Sequence, residues 1–300
     1  MRGAVVLVTG ASGFIGRALA RSLVSAGAEV HAACRREPPV AGVQWHAADL
    51  ARPGALAALG DLRPWTHLFH LANASVQDLS HPLEGYLRLD VGAAGELADI
   101  ARSRGARLVA VGSGSVYRPS ERPHREDDPV TALTPYAEGK LQGERLLAGQ
   151  APFAWTLVRL FGVYGPGESP ARLVPTVVRA LLAGRPAALS RGDQVRDFLF
   201  LEDAVDALVA LGLREDGPDR IVNVGSGEGA SVRDVAGRIG RLLGREDLLG
   251  FGAPSRRPHD CPRWVADISR MRRLTGWSPR TGWEEGLSAS IAWWRGEGAA

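Results

Sequence analysis

Thr9-Gly10-Ala11-Ser12-Gly13-Phe14-Ile15-Gly16 decides how this 300-residue chain is read. A short apolar, β-branched run at 4–9 leads into three glycines spaced three and three apart. An apolar helical face follows, with Ile15, Leu19 and Leu23 at i, i+4 and i+8. Three glycines alone make a plain tight turn. Placed between a first strand and a first helix, they do more. Gly10 allows the turn, Gly13 lets backbone approach a pyrophosphate, and Gly16 lets the helix sit close to the sheet. The helix N-terminus then offers free N–H groups and a positive dipole end to a diphosphate. Gly10, Ser12, Gly13, Phe14, Ile15 and Gly16 are therefore read as contacts to a dinucleotide.

Outward from this stretch, strands and helices alternate. Further strands are predicted at 29–34, 43–47, 67–71, 107–111 and 154–159, with helices at 84–104 and 136–148. Thr134-Pro135 supplies a cap and a first-turn proline for the second of these helices. The rhythm predicts an α/β fold, a Rossmann-type doubly wound parallel sheet. After Phe161 it changes, with Gly165-Pro166-Gly167 and Pro170 as punctuation. Shorter elements follow: helices at 172–182 and 203–211, strands at 196–201 and 221–224, and two capping-box starts, Ser231 with Asp234 and Thr281 with Glu284. The expected organisation is a dinucleotide-binding domain over 1–160, with about 190–224 returning to it, and a smaller C-terminal α/β substrate lobe made mainly of 161–300.

Charged residues at 23% and hydrophobic ones at 45% exclude a disordered chain. No apolar run approaches the ~18 residues of a membrane span, and the run after Met1 is too short for a secretory signal. Cys34 and Cys261 have neither disulfide-framework nor zinc spacing. A cytoplasmic protein is the expectation. The base composition is lopsided: of 36 basic residues, Lys140 is the single lysine. Arginine replaces lysine wherever the two are interchangeable, and they are not interchangeable where a compact ammonium is needed.

That lysine closes Tyr136-Ala137-Glu138-Gly139-Lys140. At i, i+4 the two side chains share a helix face, and a nearby ammonium favours the phenolate of Tyr136, making it a usable acid/base. At the end of the second predicted strand, an acid would bind the adenosine ribose hydroxyls. Cys34-Arg35-Arg36 stands there instead, and two guanidiniums suit a 2′-phosphate; a solvated basic loop is the plainer reading. Asp49-Leu50 suits either a contact to the adenine edge or a helix cap.

With these motifs the chain resembles an extended short-chain dehydrogenase/reductase of the nucleotide-sugar epimerase/dehydratase type, over nearly its whole length. The resemblance places the third catalytic residue on Ser113 in Val111-Gly112-Ser113-Gly114-Ser115-Val116-Tyr117, with Ser115 as a less favoured substitute that also reaches substrate. It makes Leu71-Ala72-Asn73 a cofactor-lining segment and the stretch from Arg159 to Gly167 the crossover into the substrate lobe. It assigns Arg196 and Arg257 to a sugar-nucleotide diphosphate; structural ion pairs are the other reading of both. Tyr136 and Lys140 would also touch the cofactor.

Departures from the family pattern narrow the choice. Gly162 stands where an Asn often contacts substrate, and Asp90 where an Asn often holds main chain. Gly114-Ser115 replaces the Asp-Glu pair with which the family's dehydratases eliminate water. The resemblance thus implies NADPH-dependent reduction of a nucleotide-diphosphate 4-keto-6-deoxyhexose at C4, with NADP(H) preferred to NAD(H). The alternative is a nucleotide-sugar 4-epimerase that retains its cofactor. A homodimer through the 84–104 and 136–148 helices is the family-based expectation. A non-catalytic cofactor sensor would have no use for Ser113, Tyr136 and Lys140 together.

Other signals are weaker. Five of eight tryptophans lie in the last 40 residues, as core or as one base-stacking ring. The seven histidines show no metal spacing, and 118–131 reads as a surface loop bordering substrate. Arginines are dispersed rather than interleaved with aromatics, so no nucleic-acid platform is expected. No membrane association is expected either.

Overall fold

Val6 and Val8 of the first strand, β1 (Val5–Thr9), pack on one side of the chain, and Val5 and Leu7 on the other, all buried. A strand buried on both faces belongs in the middle of a parallel sheet covered by helices. The computed structural model describes residues 1–52, 54–56, 59, 64–74, 81–215, 217–253 and 261–297. After β1 come α1 (Phe14–Ser25), β2 (Glu29–Cys34), β3 (Val43–Ala47), β4 (His67–His70) and α2 (Leu83–Leu87). A π-helical turn (Arg88–Ala93) leads into α3 (Ala94–Ser103), β5 (Arg107–Ser113), α4 (Pro135–Ala148), β6 (Trp155–Leu160) and β7 (Val163–Tyr164). Then follow α5 (Leu173–Leu182), β8 (Ala187–Leu189), β9 (Val195–Asp197), β10 (Leu199–Phe200), α6 (Leu201–Leu213) and β11 (Ile221–Val224). The chain closes with β12 (Gly229–Ser231), α7 (Val232–Leu243), β13 (Leu249–Phe251), β14 (Arg263–Trp264), α8 (Ser269–Thr275) and α9 (Trp283–Glu297).

Seven strands form one parallel sheet in the order β11-β6-β5-β4-β1-β2-β3. This is the doubly wound arrangement the motif pattern implied. One face carries α1 and α6, with Leu19, Leu23, Leu208 and Leu211 against Val6, Val8 and Val158. The other carries α3 and α4, with Leu97, Ala101 and Leu147 against Leu7, Leu68 and Leu108. Strand order reverses between β1 and β4, which opens a crevice beyond their carboxyl ends. A separate apolar cluster joins α5, α7 and α9 through Val177, Leu181, Ile239, Leu287 and Ile291.

Three local expectations are corrected. The single helix expected over 84–104 is interrupted by the π turn at Arg88–Ala93. Gly139 and Gly143 of α4 explain the tight fit there. A Cβ at Gly143 would lie 2.2 Å from the Asp90 carbonyl oxygen, and one at Gly139 2.6 Å from Tyr86 Cβ. The wider turn lets both Tyr86 and Asp90 be buried against α4. The strand expected over 196–201 is two short strands, β9 and β10, paired with different neighbours. Thr281 spends its main-chain N–H on Asp203 Oδ2 at 3.0 Å, two residues before α9 begins. The Ser231–Asp234 capping box, by contrast, is formed at α7, and Thr134 Oγ1 accepts from Ala137 N at 3.1 Å to cap α4.

Candidate active site

Gly10 has φ +70°, and a Cβ on it would lie 2.7 Å from Ala72 N, so the turn after β1 and the segment after β4 can touch only through glycine. A Cβ on Gly16 would lie 2.2 Å from the Gly10 carbonyl. Gly13 is different: it is exposed, and a Cβ there would meet only the Gly10 carbonyl at 3.2 Å. Gly13 precedes α1, whose first turn has no side-chain cap and no acid. Here the residues fit a dinucleotide: an open glycine beside uncapped helix N–H groups is a cradle for a diphosphate. Phe14 and Ile15 pack partly against the core below.

At the end of β2, Cys34 Sγ donates to the Arg36 carbonyl at 3.1 Å, and burial pushes its thiol pKa up against hydrogen bonds from Ser12 and Arg36. The position carries no negative charge that would repel a phosphate. Arg35 and Arg36 are exposed, and neither guanidinium meets an acceptor among the described residues. Trp45 Nε1 donates to the Cys34 carbonyl at 3.0 Å beside them. Asp49 Oδ1 accepts from Ala51 N at 3.3 Å, which favours the capping reading, and Leu50 is buried in the core. Leu71 N and Ala72 N bond Thr9 at its carbonyl and Oγ1, each at 3.3 Å, tying the two sides of the crevice together.

Across the crevice, α4 presents Tyr136 half-buried and Lys140 buried. Asn73 Nδ2 donates to Tyr136 Oη at 3.5 Å, and the edge of Tyr86 meets the Tyr136 ring at 5.7 Å between centroids. Lys140 Nζ lies 5.9 Å from the Tyr136 ring centroid. The same Nζ donates to Asp90 Oδ1 at 2.7 Å and to the Val111 carbonyl at 3.1 Å. Burial by itself would lower the ammonium's pKa; the Asp90 carboxylate and Tyr136 outweigh it and raise it. Beneath the pair, His70 Nδ1 shares a hydrogen bond with Thr9 Oγ1 at 2.8 Å, and burial next to Lys140 holds its pKa down to about 4. The sequence reading missed the ion pair. Its signal was Gly139 and Gly143 flanking Lys140 on a helix that had to lie close to Asp90.

Ser113 ends β5, and its Oγ is 2.9 Å from Ser115 Oγ and accepts from Ser115 N at 3.1 Å. Among the described residues Ser113 bonds Ser115 and not Tyr136. Between the two serines, the Gly114 carbonyl accepts from Trp264 Nε1 at 2.9 Å, which ties β14 to this turn. The Arg196 guanidinium lies 5.9 Å over the Trp264 ring. Arg196 and the Ser113–Ser115 turn are thus bridged by one indole, one of the five late tryptophans. Arg257 lies outside the described residues. A Cβ at Gly162 would stand 2.4 Å from the Asp197 carbonyl, so no side chain fits where the family often has Asn. No group of three metal-ligating side chains occurs among the described residues, and no described helix is long and apolar enough to cross a membrane.

The crevice and the Tyr-x-x-x-Lys helix define a dinucleotide-dependent enzyme built on a doubly wound sheet. Residues 6–225 match the NAD dependent epimerase/dehydratase family, and the chain belongs to it. It is 32% identical over 318 residues to a UDP-glucose 4-epimerase of Mycolicibacterium smegmatis, covering 96% of this chain and 98% of that one. It is 30% identical to a dTDP-4-dehydro-6-deoxy-D-allose reductase of a Streptomyces species, over 98% and 97% of the two chains. Among solved structures it superposes on MoeE5 in complex with UDP-glucuronic acid and NAD with a TM-score of 0.87, at 33% identity over 97% and 99% of the chains.

Proposed function

We propose that this chain is an NADPH-dependent reductase of a nucleotide-diphosphate 4-keto-6-deoxyhexose, acting at C4. The observation that carries the cofactor choice is Cys34-Arg35-Arg36: a buried neutral thiol where an acid would stand, and two exposed guanidiniums beside it. A cofactor that must exchange each turnover suits a reductase. The bound dinucleotide supplies hydride for the carbonyl carbon. Tyr136 gives its phenolic proton to the carbonyl oxygen, Ser113 donates a hydrogen bond to the same oxygen, and Ser115 steadies Ser113. Lys140 would hold the ribose of the bound dinucleotide. Arg196 and Arg257 clamp the substrate diphosphate bidentately. Gly114-Ser115 offers no acid for eliminating water.

The second reading is a 4-epimerase with retained NAD, favoured by the 4-epimerase relative and by NAD in the MoeE5 complex. NADPH oxidation against a panel of nucleotide 4-keto-6-deoxyhexoses tests the first reading. Epimerisation of a nucleotide hexose without net oxidation, and no NADPH consumption, establishes the second. We further take the protein as a cytoplasmic homodimer paired through 84–104 and 136–148, with residues 1–160 as the dinucleotide-binding domain, about 190–224 returning to it, and 161–300 as the substrate lobe. Light scattering on the purified protein checks the dimer.

A further inference from the structure

We infer that Asp90 is a positioning residue that cancels the charge of Lys140 and thereby keeps Tyr136 in its proton-donating form. Asp90 and Lys140 are each 5% exposed, and Nζ to Oδ1 is 2.7 Å. The pair is almost out of water, so its charges are screened far less than those of an exposed pair.

Among the described residues, Lys140 of the same helix lies over the Tyr136 ring, and Asp90 of the π turn and His70 of β4 are the titratable groups around that ammonium. Glu138, also on α4, is half-buried and accepts from Gln142 Nε2. Tyr86 of α2 and Asn73 after β4 are the uncharged partners of Tyr136. Glu84, Arg88 and Glu96 on the neighbouring segments are exposed. His70, with a pKa near 4, is neutral at working pH. The buried cluster therefore sums to zero charge. Asparagine at position 90 would leave it at +1, and a lone buried cation favours phenolate.

This deepens the proposed function and rests on it for its meaning. Reduction of a ketone begins with a neutral phenol: its O–H bond breaks as a new O–H forms on the former carbonyl oxygen, and solvent reprotonates the phenolate. An epimerase starts the other way, by taking a proton from a sugar hydroxyl, and needs phenolate first. Asp90 sets the site for the former.

The test reads Tyr136 itself. Tyrosinate difference absorbance is followed against pH, with and without NADP⁺, using Tyr136→Phe versions of each protein as blanks. Tyr117, with its pKa pushed up to about 12, and Tyr164, raised still further by burial, stay out of the way. In Asp90→Asn the Tyr136 signal should appear about one pH unit or more lower than in wild type. Asp90→Glu, which keeps the charge, should follow wild type; should Asp90→Asn not fold, Asp90→Ser replaces it. An unmoved signal in the neutral variants, or an equal shift in Asp90→Glu, overturns the inference. The titration needs no sugar, so failure of the substrate panel overturns the proposed reaction and leaves this result standing.

Discussion

Glu144 and Arg159 meet in a two-point contact, Nε to Oε2 at 2.9 Å and Nη2 to Oε1 at 2.5 Å, with less than a tenth of either side chain exposed. Glu144 is one turn beyond Lys140 on α4, and Arg159 is in β6, so the pair fixes α4 to the sheet. Arg159 Nη1 also donates to Tyr117 Oη at 2.7 Å and to the Glu126 carbonyl at 2.9 Å, while Tyr117 Oη donates to Asn223 Oδ1 at 2.7 Å. Arg159→Leu should cost about 3–5 kcal/mol, because it strands a buried carboxylate. Urea unfolding measures this. The double variant Glu144→Leu/Arg159→Leu should recover part of the loss; a double variant as unstable as the sum of the singles would mean the charges were not the cause.

Lys140→Arg separates charge from shape. The ammonium fits between Asp90, the Val111 carbonyl and the Tyr136 ring in a pocket 5% exposed. A guanidinium keeps the charge but is planar and larger. We expect turnover to fall at least 10²-fold, in line with loss of a positioned acid's partner, and NADPH binding to weaken. Steady-state kinetics and fluorescence titration check both. Full activity would show that the single lysine survived by chance and was not kept for its chemistry.

Cofactor preference follows from Arg35 and Arg36. NADPH should bind at least about tenfold tighter than NADH, worth ~1.4 kcal/mol. Arg35→Ala should reduce NADPH affinity and leave NADH nearly unchanged. Equal affinities in the wild-type protein would reduce the two arginines to a solvated loop.

Glu168, after β7, is 5% exposed; burial raises its pKa to about 7, with Arg172 at 3.3 Å pulling the other way. The folded protein thus holds a proton that the unfolded chain releases near pH 4.5. Stability from this group is complete below that pH and is lost as pH rises through about 7, on the order of 3 kcal/mol in all. Asp197, raised to about 6 by burial, has the same sign. Glu168→Gln should therefore flatten the fall in Tm between pH 5 and pH 8. Calorimetry at the two values decides it, and an unchanged slope would assign the fall elsewhere.

The doubly wound sheet was legible because Val5, Val6, Leu7 and Val8 form an uninterrupted apolar run and Gly10, Gly13 and Gly16 follow it directly. Tyr136 and Lys140 were legible because their spacing is local. Contacts between distant segments were not. Lys140 with Asp90 spans 50 positions and Trp264 with Gly114 spans 150. Neither leaves a period in the sequence. The π turn escaped because one extra residue per turn shifts a 3.6 pattern without erasing it, and Asp49 and Leu50 stayed open between two readings because a turn cap and a ligand contact use the same residue types.

The order in which the sheet is completed matters to a chain still being made. β6 ends at Leu160, and its outer neighbour β11 begins only at Ile221. About 60 residues must leave the ribosome in between, roughly 3–12 s of synthesis. Through that interval the apolar edge Trp155–Leu160 offers unpaired N–H and C=O groups to any other nascent strand. A fragment cut after residue 160 keeps that edge open permanently. Such a fragment should self-associate through β6, so the cofactor half is not separable by truncation, and its expression should depend on chaperone supply where the full chain's does not.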